Sequence, residues 1–203
     1  MKKEKTASAD PAKERTLVLL KPDTVRRALI GEIISRFEKS GLKIVGLKMV
    51  WVEADLIAKH YSDDRAYLSA IGEKTMKTYM EYGKDPKEEL GTKDAFEIGT
   101  MVRKWNMDFL SSGPVVAILL QGVHAVDSVR MMVGHTLPRF AQPGTIRGDY
   151  SIDSPILANM QKRTVKNMIH ASGTVDEAKY EEQLWFHANE IQDYKRADED
   201  AMF

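Results

Sequence analysis

The alternation and clustering of apolar residues predict four β-strands. Residues 15–20 form a short apolar run that Lys21 and Pro22 end, and residues 42–52 are rich in β-branched and apolar side chains in alternation. Residues 115–121 form a third apolar run directly after a Gly-Pro pair. A fourth apolar run leads into His170, so we expect a strand there as well.

Apolar residues at helical spacing separate these strands. Leu29, Ile33 and Phe37 recur every four positions, and Gly41 ends that helix. Thr174 followed three positions later by Glu177 has the form of a capping box, so a helix should begin there. Shorter helices are expected at residues 53–61 and 125–133.

The stretch from residue 65 to residue 112 differs in character. Its two segments of weak helical periodicity, 74–82 and 94–110, are separated by glycine and proline positions. Their apolar content is too thin for an independent core, so we interpret the stretch as a helical excursion within one domain. Residues 134–149 are expected to form a long loop and residues 151–163 a polar segment.

The order of elements predicts an α/β fold of the α+β kind. Its simplest arrangement is a ferredoxin-like β-α-β-β-α-β unit, with a four-stranded antiparallel sheet, helices packed on one face, and the helical insertion added. A parallel doubly wound sheet is the alternative, because the order of elements alone does not distinguish the two.

Composition narrows the class of protein. The chain has 203 residues, is 43% hydrophobic, and balances 30 Lys and Arg against 30 Asp and Glu. This balance gives no long-range field toward nucleic acid or anionic membrane, so neither is expected as a partner. There are no cysteines, and residues 1–13 are charged without an apolar signal segment. We expect a flexible N-terminal tail at 1–13 and a cytoplasmic protein.

The candidate chemistry starts from His170, which lies after a short apolar run and is followed by Ala171 and Ser172. An imidazole can accept a phosphoryl group and release it again near neutral pH. A structural histidine is the ordinary alternative. No Walker A sequence or kinase-type glycine loop is present, so a phosphate clamp must come from other groups. Candidates, each otherwise a surface residue, are Lys21, Arg130, Arg147 and Thr136.

Several separated motifs, in order, resemble the nucleoside diphosphate kinase family. They are Lys21-Pro22-Asp23, the run from Pro143 to Asp149 (PGTIRGD), and the run from Asn167 to Ser172 (NMIHAS). Supporting matches occur at residues 31–34, 113–116 and 184–186. The resemblance spans roughly residues 14–194 and implies one domain over 14–203, with insertions near 68–106 and 154–164. Ala171 stands where the family commonly has glycine.

The resemblance implies a ping-pong transfer of the γ-phosphoryl group of a nucleoside triphosphate, typically ATP, to a nucleoside diphosphate with little base specificity. His170 would be the nucleophile. Glu181 would orient the His170 imidazole through its far ring nitrogen. Ser172 would assist near the phosphoryl group or near the Glu181 carboxylate. The family's nucleotide contacts fall on Lys21, Tyr61, Tyr67, Arg130, Thr136, Arg147 and Asn167.

Tyr67 is the expected base-stacking residue, with a core aromatic as the alternative. Mg²⁺ would be bound mainly through the nucleotide phosphates, with no metal site built by the protein. A homo-oligomer is implied, a hexamer rather than a tetramer. Two other functions stay open at this point. One is a catalytically weak relative acting as a binding scaffold, and the other is an RNA-binding ferredoxin-like module, whose paired sheet aromatics and basic excess are absent here.

Overall fold

A computed structural model describes residues 13–202, so the predicted tail at 1–13 lies, apart from Lys13, outside the described residues. Its four strands form one sheet in the order β2-β3-β1-β4, and every neighbouring pair is antiparallel. This order is that of the ferredoxin-like unit, and the parallel alternative is wrong. The strands are β1 (Glu14–Leu20), β2 (Lys43–Val50), β3 (Val115–Gly122) and β4 (Ile169–Ala171).

Eleven α-helices lie within residues 13–202. They are α1 (Pro22–Arg26), α2 (Ile30–Lys39), α3 (Ala54–His60), α4 (Arg65–Glu81), α5 (Pro86–Leu90), α6 (Ala95–Leu110), α7 (Ala125–Val133), α8 (Ile146–Tyr150), α9 (Pro155–Met160), α10 (Val175–Trp185) and α11 (Glu199–Met202).

The helices differ from the sequence prediction where a local cap outweighs weak periodicity. Helix α4 begins nine residues before the predicted segment, because the Asp64 side chain accepts a hydrogen bond from the Tyr67 backbone N–H at 2.8 Å. Thr145 and Ser154 cap α8 and α9 in the same way, inside the segments expected to be a loop and a polar stretch. Short side-chain caps therefore decided these boundaries.

Helices cover both faces of the sheet rather than the one face predicted. Val18 and Leu20 of β1 point into a core with α2 and α7, whereas Leu17 and Leu19 point into a second core that includes residues of α3, α6 and α10. The uninterrupted apolar runs of β1 and β3 explain this arrangement, because a strand buried on both faces cannot alternate with polar residues.

The helical excursion is a hairpin of α4 and α6, closely packed through two glycines. A β-carbon on Gly72 would lie 1.8 Å from the Ala95 carbonyl oxygen, and one on Gly99 would lie 1.9 Å from the Leu68 carbonyl oxygen. Both distances are far below van der Waals contact, so only glycine permits this approach. The hairpin is joined to the domain by Arg103, whose guanidinium donates to the carbonyl oxygens of Ala58 and Tyr61 at 2.9 and 3.0 Å.

None of the helices found within residues 13–202 combines the length and apolar character that a membrane span requires.

Replacing Gly99 by alanine should destabilise the protein. The added methyl group meets backbone atoms of α4, which cannot move aside as a side chain could, and overpacking of this kind costs roughly 1–3 kcal/mol. Urea unfolding followed by circular dichroism would measure the change in the free energy of unfolding. Gly31→Ala in α2 is the matched control, because nothing lies within 4 Å of a β-carbon there. Equal stability of the two variants would contradict the close packing described for the hairpin.

Candidate functional site

The register of β4 decides which way His170 faces. His170 lies directly across from Leu19 of β1, and Ile169 lies across from Leu20. Residues opposite each other on paired strands share a face of the sheet. His170 therefore points to the face of Leu19, where α3 and α10 pack, while Ile169 enters the core on the other side.

A chain of short hydrogen bonds holds the imidazole on that face. His170 Nε2 is 2.7 Å from Glu181 Oε1, and the Ser172 hydroxyl donates to Glu181 Oε2 at 2.6 Å. The backbone N–H of Leu17 in turn donates to the Ser172 oxygen at 3.2 Å. Glu181 and Ser172 are both buried. Of the two groups that the resemblance offers as neighbours of Ser172, its hydroxyl contacts the Glu181 carboxylate.

The cap of α10 positions Glu181. The Thr174 side chain accepts the Glu177 backbone N–H at 3.1 Å, so the predicted helix start is confirmed. The Glu177 side chain accepts from the Gly173 N–H at 2.8 Å instead of from the Thr174 backbone, which departs from a full capping box. Glu181 lies one turn further along α10, where the helix faces β1 and His170.

A second histidine belongs to this cluster. The ring of His60, at the end of α3, lies 4.6 Å from the ring of His170 at an interplanar angle of 84°. Its Nδ1 is 3.4 Å from both Glu181 Oε1 and Trp185 Nε1. Nothing in the sequence around His60 pointed to a functional site. The packing of α3 against α10 places His60 next to His170 and Glu181.

Burial and charge keep both imidazoles neutral. Desolvation lowers the pKa of His170, and the nearby cation of Lys21 lowers it further. Burial also lowers the pKa of His60, to about 3, with His170 contributing in the same direction. Desolvation raises the pKa of Glu181, while His60 and the Ser172 hydroxyl oppose that rise. A neutral imidazole that donates through Nε2 leaves the Nδ1 lone pair available as a nucleophile.

The backbone just before His170 is strained and held in place. Met168 has a positive φ of 69°, which a non-glycine residue rarely adopts. Its N–H donates to Asp23 Oδ2 at 3.0 Å, and its carbonyl oxygen accepts from the Lys21 N–H at 2.8 Å and the Thr24 hydroxyl at 2.5 Å. Asp23, which was part of the Lys-Pro-Asp motif but assigned no role, therefore fixes the entry to β4.

Three of the predicted contacts lie together beside His170. Lys21 Nζ donates to Asn167 Oδ1 at 2.8 Å, and Asn167 Nδ2 donates to the Thr136 carbonyl oxygen at 2.9 Å. Burial, together with the neighbouring Arg147, lowers the pKa of Lys21 to about 8, although Asp23 opposes this shift. The ammonium group is therefore still mostly charged at neutral pH.

Arg147 serves as a structural clamp as well as a cation. Its guanidinium donates to the carbonyl oxygens of Gly134, Asn167 and Ile169 at 2.9, 3.3 and 2.6 Å. Burial and the neighbouring Arg130 lower its pKa to about 10, so it stays protonated. These contacts use three of its five N–H donors and tie the long loop to β4.

Arg130, in contrast, is exposed and unengaged. Within residues 13–202 its guanidinium has no hydrogen bond or salt bridge, although NH1 lies 3.5 Å from where a β-carbon on Gly173 would be. Arg130 thus presents an unpaired positive charge near the end of β4, among the residues that the structure describes.

A cleft of about 600 Å³ opens onto His170. Its walls include the predicted residues Lys21, Tyr61, Thr136 and Asn167. Burial raises the pKa of Tyr61, so its hydroxyl stays neutral. The opposite walls come from residues that the sequence did not single out, on α4, α6, α9 and the segment before β4, among them Lys74, Trp105, Asn106, Asn159 and Thr164.

Tyr67 is not part of this cleft. Its side chain is 49% exposed and lines a separate recess of about 610 Å³ with Glu177 and Tyr180 on the α10 side of His60. Inside the cleft, the large aromatic from the hairpin is Trp105. The base-stacking role that the family resemblance gives to Tyr67 stays a prediction.

One group of potential metal ligands occurs in the part of the chain that the structure describes. His60, His170 and Glu181 offer ligand atoms within 4.8 Å of one another. Mg²⁺ prefers oxygen ligands in octahedral geometry, so this pair of imidazoles with one carboxylate does not suit it.

Comparison with known proteins agrees with this geometry. The family model described as "Nucleoside diphosphate kinase" matches residues 14–77 and 99–191. The residues between, 78–98, run from the end of α4 through α5 to the start of α6, which lies within the insertion expected at 68–106.

Two relatives named nucleoside diphosphate kinase illustrate the similarity. The one from Pyrobaculum aerophilum is 48% identical over 88% of this chain and 97% of its own length, and the one from Pyrococcus furiosus is 40% identical over 91% and 89%. A crystal structure of the Pyrobaculum aerophilum NDP kinase superposes with a TM-score of 0.87, at 46% identity over 89% of this chain and all of that one.

A second solved structure holds ligands. It is a transition-state mimic of the nucleoside-diphosphate kinase from Borrelia burgdorferi with bound vanadate and ADP. It superposes with a TM-score of 0.74, at 35% identity over 95% of this chain and 98% of that one.

Acid should destabilise the fold through His60, whose side chain is 2% exposed and whose pKa is lowered to about 3. The pKa of His60 is lower in the folded protein than in the unfolded chain. The stability that neutral His60 contributes is therefore fully present above the unfolded pKa, and it is lost as the pH falls from there toward about 3. The loss is roughly 1.4 kcal/mol per pH unit below about 6.5. Between pH 7 and pH 5, the free energy of unfolding of His60→Gln should therefore fall by about 2 kcal/mol less than that of wild type.

Urea unfolding at the two pH values measures this difference. His187→Gln is the control, because His187 is exposed and should leave the fall in stability unchanged. An identical fall in wild type and His60→Gln would show that His60 does not stay uncharged in the folded state.

Proposed function

Because the chain belongs to the nucleoside diphosphate kinase family, we propose that it transfers the γ-phosphoryl group of a nucleoside triphosphate, typically ATP, to a nucleoside diphosphate through a phosphohistidine at His170. The observation that carries the proposal is the 2.7 Å contact between His170 Nε2 and Glu181 Oε1 at the wall of a cleft lined by Lys21 and Asn167. Similar proteins support the same chemistry, because relatives bear the name nucleoside diphosphate kinase and one solved structure is a transition-state mimic with vanadate and ADP bound.

The first half-reaction uses the free ring nitrogen. With the Nε2–H donated to Glu181, the lone pair of His170 Nδ1 attacks the γ-phosphorus, and a P–Nδ1 bond forms. The bond from that phosphorus to the bridging oxygen breaks, and the nucleoside diphosphate leaves with the electron pair. The Glu181 carboxylate stabilises the positive charge that develops on the imidazole. A second diphosphate then attacks the phosphohistidine and reverses these steps.

The cations act on the phosphate oxygens. Lys21 and the unengaged Arg130 would neutralise charge on the transferring group, and the remaining N–H donors of Arg147 would add to them. Because Lys21 is held by Asn167 and Arg147 by main-chain carbonyl oxygens, little reorganisation of these two groups accompanies the reaction. Tyr61 and Thr136, on the same wall, would contact the phosphate or ribose.

Mg²⁺ would enter with the nucleotide as part of the substrate, bound mainly through the phosphates, and would neutralise part of their charge. The imidazole groups of His60 and His170 are poor ligands for Mg²⁺, so the proposal assigns it no ligands from this cluster.

The scaffold alternative accounts poorly for the site. Ala171 and Gly173, where the chain departs from the family pattern, remove no group that the chemistry uses, because the hydrogen bonds from Ser172 and His170 to Glu181 are intact. A scaffold under no catalytic demand has no need for a buried carboxylate aimed at a neutral imidazole.

Assembly and location are further parts of the proposal. The proposal includes a homo-oligomer, a hexamer rather than a tetramer. Association as such is supported by the exposed apolar residues Leu47, Met49 and Trp51 along and just after the edge strand β2. Light scattering would measure the subunit number. A cytoplasmic site is supported by the absence of cysteine, which fits a reducing compartment.

His170→Ala should abolish covalent labelling. Wild-type protein incubated with γ-labelled ATP should carry one label that is acid-labile and alkali-stable, because a phosphoramidate differs in this way from a phosphoserine. Autoradiography after acid and alkali treatment makes the measurement, with His135→Ala as a control at another cleft histidine. Label that persists unchanged in His170→Ala would refute the proposed carrier.

Lys21→Gln should lower kcat/KM by roughly 10²–10³, the effect of losing one preorganised donor to a developing charge. Steady-state transfer from ATP to a diphosphate measures it. Lys104→Gln is the matched control, because Lys104 lies on the exposed side of α6 in a surface ion pair with Asp108. Loss of activity of the same size in both variants would mean that Lys21 acts through overall charge instead of through the cleft.

A further inference from the structure

The group of His60, His170 and Glu181 has the composition of a zinc site. Their ligand atoms lie within 4.8 Å of one another, and the side chains of His60 and Glu181 are 2% and 4% exposed. Zn²⁺ binds imidazole nitrogen and carboxylate oxygen, and two histidines with one glutamate form a ligand set that it uses when its fourth position stays open. Mg²⁺ prefers oxygen ligands throughout, so this group favours an ion of the zinc type.

The distances between these atoms are close to those that a tetrahedral zinc ion imposes. Zinc–ligand bonds of about 2.0–2.2 Å place neighbouring ligand atoms about 3.3–3.5 Å apart. His60 Nδ1 is already 3.4 Å from Glu181 Oε1. His170 Nε2 is 2.7 Å from the same oxygen, so this pair has to open by roughly 0.6–0.8 Å. The Ser172 hydroxyl holds the other carboxylate oxygen at 2.6 Å, as outer hydrogen bonds commonly do for metal-bound carboxylates.

The surroundings of His60 Nδ1 are not satisfied by either form of a neutral imidazole. Trp185 Nε1, which can only donate, and Glu181 Oε1, which only accepts when ionised, both lie 3.4 Å from this nitrogen. If His60 Nδ1 accepts from the indole, its lone pair faces the carboxylate. If it carries the proton, two N–H groups face each other. A metal ion between His60 Nδ1 and Glu181 Oε1 would pair with the lone pairs of both atoms.

A recess gives an ion access to this group from solvent. His60 and Glu181 line the recess of about 610 Å³, and among the described residues it shares no lining residue with the cleft that contains His170. Asp63 and Glu177 add two more carboxylates to its wall, against the one ammonium group of Lys59. An excess of negative charge in a concave site raises the local concentration of cations. An ion can therefore reach the group without passing through the cleft.

We propose that His60, His170 and Glu181 bind a divalent ion of the zinc type, and that this ion inhibits phosphoryl transfer. The inhibition rests on the proposed function, whereas the binding does not. A neutral imidazole carries one proton, and a metal ion on His170 Nε2 needs the lone pair of that nitrogen. The proton of Nε2 therefore moves to Nδ1, with no net gain or loss. Because Nδ1 is the nitrogen that attacks the γ-phosphorus, the ion removes the attacking lone pair.

Binding is measured first, with zinc as the only ligand. Calorimetry of the metal-free protein should show a Zn²⁺ site that His60→Gln loses. Long-range ¹H–¹⁵N spectra of the imidazole rings should show His170 changing from the Nε2–H to the Nδ1–H tautomer as zinc is added to wild type. Absence of binding would overturn the proposal, and so would bound zinc with His170 still in the Nε2–H form.

Zinc should also prevent the labelling of His170 by γ-labelled ATP. The initial rate should fall at least roughly a hundredfold, since a histidine in the wrong tautomer costs about 10⁴ in rate in a serine protease. A chelator followed by fresh Mg²⁺ should restore the labelling. Half-inhibition of His60→Gln should need at least about tenfold more zinc than that of wild type, with each protein compared with its own zinc-free rate.

His135→Gln is the matched control, because it makes the same change at an exposed histidine that lines the cleft but lies outside the group. All three proteins meet the same mixture of zinc and ATP, so zinc held by ATP affects them equally. His135→Gln should be inhibited at the same zinc concentration as wild type. Equal half-inhibition of wild type and His60→Gln would overturn the site.

Two further outcomes are kept apart by the design. If circular dichroism shows that His60→Gln does not fold, the tautomer of His170 in zinc-bound wild type decides the proposal by itself. No labelling of the zinc-free wild type would overturn the proposed function, and the calorimetry and the imidazole spectra would still test the zinc site.

Discussion

The hydrogen bond between His170 Nε2 and Glu181 Oε1 is the contact on which the site depends, and several separate features of the fold are needed to form it. Pairing of β4 with β1 sets the face of the imidazole, the Thr174 cap sets the start of α10, and the Ser172 hydroxyl holds the second carboxylate oxygen. A slip of one residue in β4 would turn His170 into the opposite core. The chemistry thus rests on strand register.

Burial near the site is used in two opposite ways. It keeps His170 and His60 uncharged, which suits a nucleophile, and it brings Lys21 and Arg147 close to them as cations. The two requirements are compatible because main-chain carbonyl oxygens and the Asn167 amide surround those cations. Each cation therefore stays charged, and the nearby Asp23 carboxylate also favours the charged form of Lys21.

The helical excursion, whose role the sequence left open, forms one wall of the cleft. In sequence it is a weakly periodic stretch, whereas in the structure Gly72 and Gly99 pack α4 and α6 together and Tyr79 ties them to α9. The two stretches outside the family motifs meet each other across the cleft. They therefore line the cleft without belonging to the group of side chains around His170.

The sequence alone determined the strands and most helices, because apolar runs and helical spacing are local. Its ordered motifs pointed to His170 and Lys21, and the family resemblance added Glu181. It missed the start of α4, the second covered face, His60 and the walls formed by Asn106 and Asn159. The resemblance gave Tyr67 as a base-stacking residue, which stays a prediction, and the structure places it in a recess beside His60 and not among the residues that line the cleft. These features depend on caps, helix packing and contacts between residues distant in the chain, which no local pattern records, so only the tertiary structure decided them.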